Sequence, residues 1–315
     1  MTTSELESRR LGHAGPQVTV LGFGAMELRG TPHRNPRPLD EEVAAAVLHA
    51  VLDEGITFID TSIDYALSEE LIGRHLQSRR DEYVLASKAG CPLDFRPDAP
   101  PGPLPHDYSA TNIRAGVEQS LRRLRTDRLD LLQLHISPAL EVIRREHVVE
   151  TLLALRTEGK ILAFGVSSTL PNVDDHLELE GVTALQVPYS ALERELESRI
   201  ELAERRGVGV IVRGGVAQGG KRDKHDSAGR PVTWAATGLD DLRDGETQQG
   251  FLLRYAITTP GVTTVIAGTA NPDHLRANAQ TARRGPLPAD VYAEARRRLD
   301  VAGLTSAVIP GAVAH

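Results

Sequence analysis

The chain of 315 residues is short of sulfur and of aromatic rings: one cysteine (Cys91), two methionines, one tryptophan, and 4% aromatic residues in all. A single thiol excludes an intramolecular disulfide and any iron–sulfur or zinc site built on several cysteines. No apolar run approaches the roughly 20 residues a membrane-crossing helix requires, so no membrane partner is expected. The opening MTTSELESRR carries no apolar segment of the kind a secretory leader uses, and a cytoplasmic location is the expectation. Basic residues are in deficit, 36 Lys and Arg against 43 Asp and Glu, for a formal charge of −7. That balance argues against a nucleic-acid partner. The most basic local stretch, GGKRDKH at 219–225, reads as a solvated loop unless a phosphate lies nearby. Neither His-x-His nor His-Glu-x-x-His occurs, so no metal is expected and a metal-dependent hydrolase is disfavoured.

What is present is an alternation. Short β-rich runs (18–26, 56–62, 83–90, 129–135, 161–168, 184–190, 208–215 and 262–268) alternate with stretches of helical periodicity at 39–55, 68–78, 109–125, 145–160, 171–179, 196–207, 246–258 and 272–284. Ser68 is a plausible N-cap for the second helix. Eight β-α units without a break in composition predict an α/β fold, a (β/α)8 TIM barrel filling residues 1–315 as one domain. An N-terminal strand or hairpin would cap it, a long loop would follow the seventh strand, and an extra helix at 288–300 and a tail would close the chain. The rival, an open dinucleotide-binding sheet, needs G-x-G-x-x-G early on. Here GFGAMELRG offers Gly22 and Gly24 but Glu27 where a third glycine should stand.

Chemistry in such a barrel sits at the carboxyl ends of the strands. Those ends carry Asp60, Lys88 and His135, with Tyr65 in the turn beyond Asp60. Singly, Asp60 reads as a helix cap and His135 as a core histidine. Lys88 is harder to explain, because a buried ammonium needs a partner. Together, an Asp, a Tyr, a Lys and a His aimed at one volume suit proton transfer. A free tyrosine titrates near about 10, and an ammonium beside it is expected to lower that value.

At these residues the chain resembles the aldo-keto reductase family. The matching stretches are LGFGAM, GITFIDTSIDYALSEELIGRHL, VLASKAG, LDLLQLH, GKILAFGVSS, LQVPYSALERE, GVGVIVRGG and VIAGTANPDHLRANA, in order over nearly the whole chain. The resemblance implies a barrel binding an extended nicotinamide cofactor, NADPH with NADH as the alternative. It also implies a catalytic tetrad of Asp60, Tyr65, Lys88 and His135, with Tyr65 as proton donor in carbonyl reduction. The implied cofactor contacts are Gly24, Ala25, Met26, Asp60, Ser167, Ser168, Gln186, Arg213, Gly214, Gly215, Gly268, Thr269, Ala270, His274 and Asn278.

Some of these positions depart from the family pattern. Ser168 stands where an asparagine is usual, and Arg213 where a ring often stacks on the nicotinamide. Gly268 and Ala270 stand where many members offer a cation to a 2′-phosphate, leaving His274 and Arg276 as substitutes. The substrate, a small carbonyl compound or alcohol, is expected to meet Tyr65, His135, Phe95 and Trp234. Two other functions remain open: an enzyme of the same fold oxidising alcohols or sugars or tailoring natural products, and a cofactor-binding regulatory subunit with little turnover.

Overall fold

The computed structural model describes residues 5–30, 38–93, 105–216, 224–225, 231–232 and 234–309. Phe95 and most of the GGKRDKH stretch lie outside the described residues. The chain opens with a hairpin, β1 (Ser8–Arg10) paired antiparallel with β2 (Gln17–Thr19). In place of the single strand expected over 18–26, the run breaks at Val20 and the barrel strand β3 takes Leu21–Gly24. Pairing is the reason. Residues 17–19 lie in register with β1, whereas Leu21, Gly22 and Phe23 lie beside Val265, Ile266 and Ala267.

After β3 come α1 (Glu41–Asp53), β4 (Phe58–Asp60), α2 (Ser68–Leu76), β5 (Val84–Ala89), α3 (Ala110–Leu124) and β6 (Leu129–Leu134). The next elements are α4 (Leu140–Arg145), α5 (Val148–Thr157), β7 (Ile161–Ser167), α6 (Val173–His176), β8 (Ala184–Pro188), α7 (Glu197–Arg205) and β9 (Gly209–Arg213). A small ladder of β10 (Lys224–His225) and β11 (Pro231–Val232) precedes α8 (Trp234–Thr237), α9 (Gln248–Thr258), β12 (Val262–Ala267), α10 (Pro272–Arg283) and α11 (Ala289–Val301). β3 to β9 and β12 close into a parallel barrel, with β12 joining β9 to β3.

Two local expectations change. Ser68 does not cap α2; Leu67 holds that position with no side-chain bond. The buried Ser68 hydroxyl instead donates to Ala25 O at 3.0 Å and lies 2.8 Å from Thr61 Oγ1, tying the helix start to the strand ends. The helix expected at 145–160 is present as the shorter α5, and a separate helix not expected from the sequence, α4, precedes it across His147 at φ +49.

Inside the barrel the strand period of two does the sorting. Phe58, Ala86, Leu131, Ala163, Ala184 and Ile211 form an apolar layer at the amino ends of their strands, and Leu11 and Val18 of the hairpin plug it from below. The plug fits tightly. Gly12 has φ +66, and a Cβ there would sit 2.6 Å from Gly207 O, so no other residue fits. Arg9 Nη1 fastens the hairpin by donating to Ile257 O (3.0 Å) and Val262 O (2.7 Å).

One step further along β4, β5, β6 and β8 the side chains turn polar: Asp60, Lys88, Gln133 and Gln186. The apolar layer is therefore the floor beneath a polar one. Phe58 is its bulkiest member and is fully buried. Phe58→Ala should lower unfolding free energy by about 3–5 kcal/mol in denaturant titration. A loss within experimental error would mean that the floor is not packed as described.

Candidate active site

Asp60 ends β4, and its Oδ1 accepts three hydrogen bonds: Lys88 Nζ at 2.5 Å, Gln133 Nε2 at 2.7 Å and Gln186 Nε2 at 3.0 Å. The donors arrive from β5, β6 and β8, each one side chain above the apolar floor. Lys88 is fully buried, and its Nζ also donates to Thr61 O at 3.0 Å. Burial of an ammonium is tolerable only with such partners. Lys88 and Gln133 stand side by side in register, as do Ser167 and Gln186.

Beyond Asp60 the chain turns sharply. Tyr65 N donates to Ser62 O at 3.1 Å, Ser68 N to Tyr65 O at 2.9 Å, and Ala66 takes φ +41. The turn delivers Asp64 and Tyr65 to one cleft with His135, which follows β6. The Tyr65 and His135 rings meet edge to face at 6.3 Å. The cleft, of about 580 Å³, is further lined by Gly24, Met26, Glu27, Ile136, Ser167, Thr169, Gln186, Arg213, Gly214 and Gly268.

The electrostatics differ from the expectation for Tyr65. Burial, followed by the Asp60 and Asp64 carboxylates, pushes the phenol well above its ordinary value, and Arg213 pulls weakly the other way. The Lys88 ammonium is committed to Asp60 and Thr61 O, so the lowering expected from it does not set the direction. Burial drives the His135 imidazole down to about 4, partly opposed by Asp64, so the ring is neutral near pH 7. Its Nδ1 lies 3.3 Å from Cys91 Sγ, 3.4 Å from His106 Nε2 and 3.5 Å from Asp64 Oδ2.

The other expected residues divide. Gly24, Met26, Ser167, Gln186, Arg213, Gly214 and Gly268 line the cleft, whereas Ala25, Ser168, Gly215, Thr269, Ala270, His274 and Asn278 are outside its lining. Ser168 points the opposite way from Ser167 and is fully buried. His176 Nε2 donates to Pro138 O at 2.7 Å, which leaves Nδ1 to accept from Ser168 Oγ, also at 2.7 Å. Trp234 is not a cleft residue either: its Nε1 donates to Asp240 Oδ1 at 2.9 Å and its ring meets Phe251 edge-on. It anchors the segment after β11. Arg276 pairs with Asp273 at 3.0 Å and approaches Glu54 at 4.0 Å.

The alternation Leu131, Gln133, His135 makes the buried Asp60 partner Gln133 legible in the sequence. The lining residues Ile136 and Ser137 are not legible there: both take positive φ (60° and 50°), a loop conformation without a sequence signature here. With Ile136 52% exposed and Met26 45% exposed, the mouth of the cleft carries an apolar rim.

The sequence profile of the Aldo/keto reductase family matches residues 20–299. An uncharacterized oxidoreductase of Bacillus subtilis, YqkF, is 29% identical over 294 residues, covering 88% of this chain and 91% of its own. L-galactose dehydrogenase of Arabidopsis thaliana is 25% identical over 295 residues, 87% of this chain and 88% of its own. Among solved structures, the holo form of aldo-keto reductase AKR11C1 from Bacillus halodurans superposes with TM-score 0.80 at 31% identity, covering 93% of this chain and 96% of that one.

The Asp60 cluster yields a test independent of activity. Asp60→Asn leaves the Lys88 ammonium without its carboxylate and should cost about 3–5 kcal/mol. Adding Lys88→Met should recover much of that loss in a double-mutant cycle read by denaturant unfolding. Additive losses would refute the pairing.

Proposed function

Because this chain belongs to the aldo/keto reductase family, a family of oxidoreductases that interconvert carbonyls and alcohols and generally use NAD(P)H, we propose that Tyr65 is its proton donor. The reading extends over the whole chain as one barrel unit. The observation that carries it is the meeting of Tyr65 and His135 in one cleft, directly above the Asp60–Lys88 pair.

The cleft suits a nicotinamide cofactor. A Cβ on Gly24 would make only ordinary contacts, from 3.7 Å outward, and one on Gly214 would meet nothing within 4 Å, so Gly214 leaves open space against the backbone. Ser167 and Gln186, side by side, offer the donors and acceptors a carboxamide needs. When bound, the nicotinamide supplies or takes the hydride. Arg213 and Gly214 are the contacts proposed along its length, with Gly268 toward the adenosine end.

The chain's own groups manage the proton. In reduction Tyr65 gives its phenolic proton to the substrate oxygen as negative charge develops there. His135, neutral, donates a hydrogen bond to the same oxygen and fixes its position. The Asp60–Lys88 pair fixes the strand ends from which Tyr65 and His135 are presented, while the apolar rim of Met26 and Ile136 takes the substrate's carbon skeleton. Oxidation of an alcohol runs the same steps backward, and the L-galactose dehydrogenase relative keeps a hydroxylated aldehyde or sugar among the substrates to test.

NADPH is the proposed cofactor on family grounds. NADH is the rival because Gly268 and Ala270 supply no cation and Arg276 is already paired with Asp273. Titrating the protein with each, by cofactor fluorescence, decides between them. Binding of neither would defeat the redox reading.

Tyr65→Phe should lower turnover with the better cofactor about 10²–10⁴-fold, with cofactor affinity nearly unchanged. Undiminished turnover would end the assignment. Because the Tyr65 phenol is raised, the donor form persists at every pH below its ordinary value of about 10. The reduction rate should therefore show no basic limb from this group below that pH. A basic limb that disappears in a residual-activity comparison with Tyr65→Phe would contradict the raised value.

A further inference from the structure

Four donors of three chemical kinds converge beside the proposed proton donor. Asp64 comes from the turn after β4, Cys91 from just beyond β5, His106 from the segment leading to α3, and His135 from the end of β6. One ligand atom from each lies within 4.8 Å of all the others. From His135 Nδ1 the distances are 3.3 Å to Cys91 Sγ, 3.4 Å to His106 Nε2 and 3.5 Å to Asp64 Oδ2. A tetrahedral ion with bonds of about 2.0–2.3 Å to nitrogen, oxygen and sulfur has ligand–ligand edges of about 3.3–3.6 Å. Three edges of the figure are therefore already at the length such an ion demands.

The positions are braced from outside. Ser62 Oγ donates to Asp64 Oδ1 at 2.5 Å, leaving Oδ2 facing His135, and it lies 3.5 Å from Cys91 Sγ. Asn112 Nδ2 donates to Cys91 O (3.2 Å) and Asp107 O (2.6 Å), and Asp107 N donates to Gly90 O at 3.0 Å. Those bonds clamp the His106 segment onto the end of β5. Tyr108 donates its hydroxyl to His135 O and stacks with His106. Its ring occupies the space above Gly90, where a Cβ would lie 2.4 Å away. Such outer partners commonly fix the ligands of a metal site.

We propose that Asp64, Cys91, His106 and His135 form a binding site for a zinc-type divalent cation. The donor set of one thiolate, two imidazoles and one carboxylate is the mixture that suits zinc. On binding, Cys91 gives its proton to solvent, and the two negative ligands balance the charge of the ion. Four protein donors leave no position for an activated water, so the ion is an inhibitor rather than a reagent. It holds His135 through Nδ1 and sets a cation next to Tyr65. This inhibitory consequence rests on the function proposed above; the binding itself does not.

The test uses untagged, reduced full-length protein and cobalt(II) as a spectroscopic stand-in. Cys91 is the chain's single cysteine, so a thiolate-to-cobalt charge-transfer band in the near ultraviolet reports on it alone. One equivalent of cobalt should produce that band together with the visible bands of a tetrahedral ion, and zinc should displace both. Cys91→Ser should lack the charge-transfer band, and His106→Ala should bind at least tenfold more weakly, each with an unchanged circular dichroism spectrum. Absence of the band in the wild-type protein, or full affinity in His106→Ala, would overturn the site. Zinc should also inhibit turnover reversibly, with recovery on adding a chelator. A protein that turns over no carbonyl would defeat the proposed function, and the cobalt spectrum would still decide whether the site exists.

Discussion

A carboxylate buried in the middle of a barrel must be answered by donors, and Asp60 is answered from three other strands at once. Its Oδ1 holds Lys88, Gln133 and Gln186 within 3.0 Å. Without those donors the desolvation of the charge would oppose folding. With them, β4, β5, β6 and β8 are locked at one height, and the side chains one step above are carried to the mouth in fixed relation. The geometry of the cleft is thus downstream of one electrostatic requirement. It also explains why β4 is only three residues long: once Asp60 is placed, Thr61 must turn its carbonyl toward Lys88.

The negative charge has a second effect. Tyr65 sits close enough to Asp60 and Asp64 that ionising the phenol would add a third anion to a desolvated corner. The phenol is therefore held in its protonated form. His135 is kept neutral by the same burial. Two groups that could each have been charged are held uncharged, and Arg213 is the cation that partly offsets the acidic side of the cleft.

Much of this was legible because strands alternate. Phe58 and Asp60, Ala86 and Lys88, Leu131 and Gln133, Ala184 and Gln186 are pairs two residues apart on inward-facing positions, apolar below and polar above. That one rule, with the β-α count, gives the barrel, its floor and the buried Asp60–Lys88 pair. It also separates Ser167 from Ser168, a consequence that reading both as cofactor contacts overlooked. The remaining differences come from interactions without a local pattern. Val20 ends a strand because residues 17–19 pair with a hairpin partner. Ser68 forgoes capping for Ala25 O. Trp234 spends its indole N–H on Asp240. The approach of His106 to His135 depends on how the 105–109 segment folds back, which no periodicity encodes.

The loop after β6 links the two sides of the cleft. Ile136 and Ser137 hold left-handed backbone conformations that a non-glycine residue adopts only when its surroundings enforce them. Here β7 and its exit do the enforcing. Ser137 N donates to Ser167 O at 2.9 Å, Thr169 N donates to Ser137 Oγ at 3.1 Å, and Asn172 Nδ2 donates to Ser137 O at 2.7 Å. Ser167 therefore presents its side chain to the cleft while its carbonyl clamps the strained turn that carries Ile136 to the rim. A change that loosens the end of β7 must move both, so the polar Ser167 side of the cleft and its apolar edge are set by the same three hydrogen bonds.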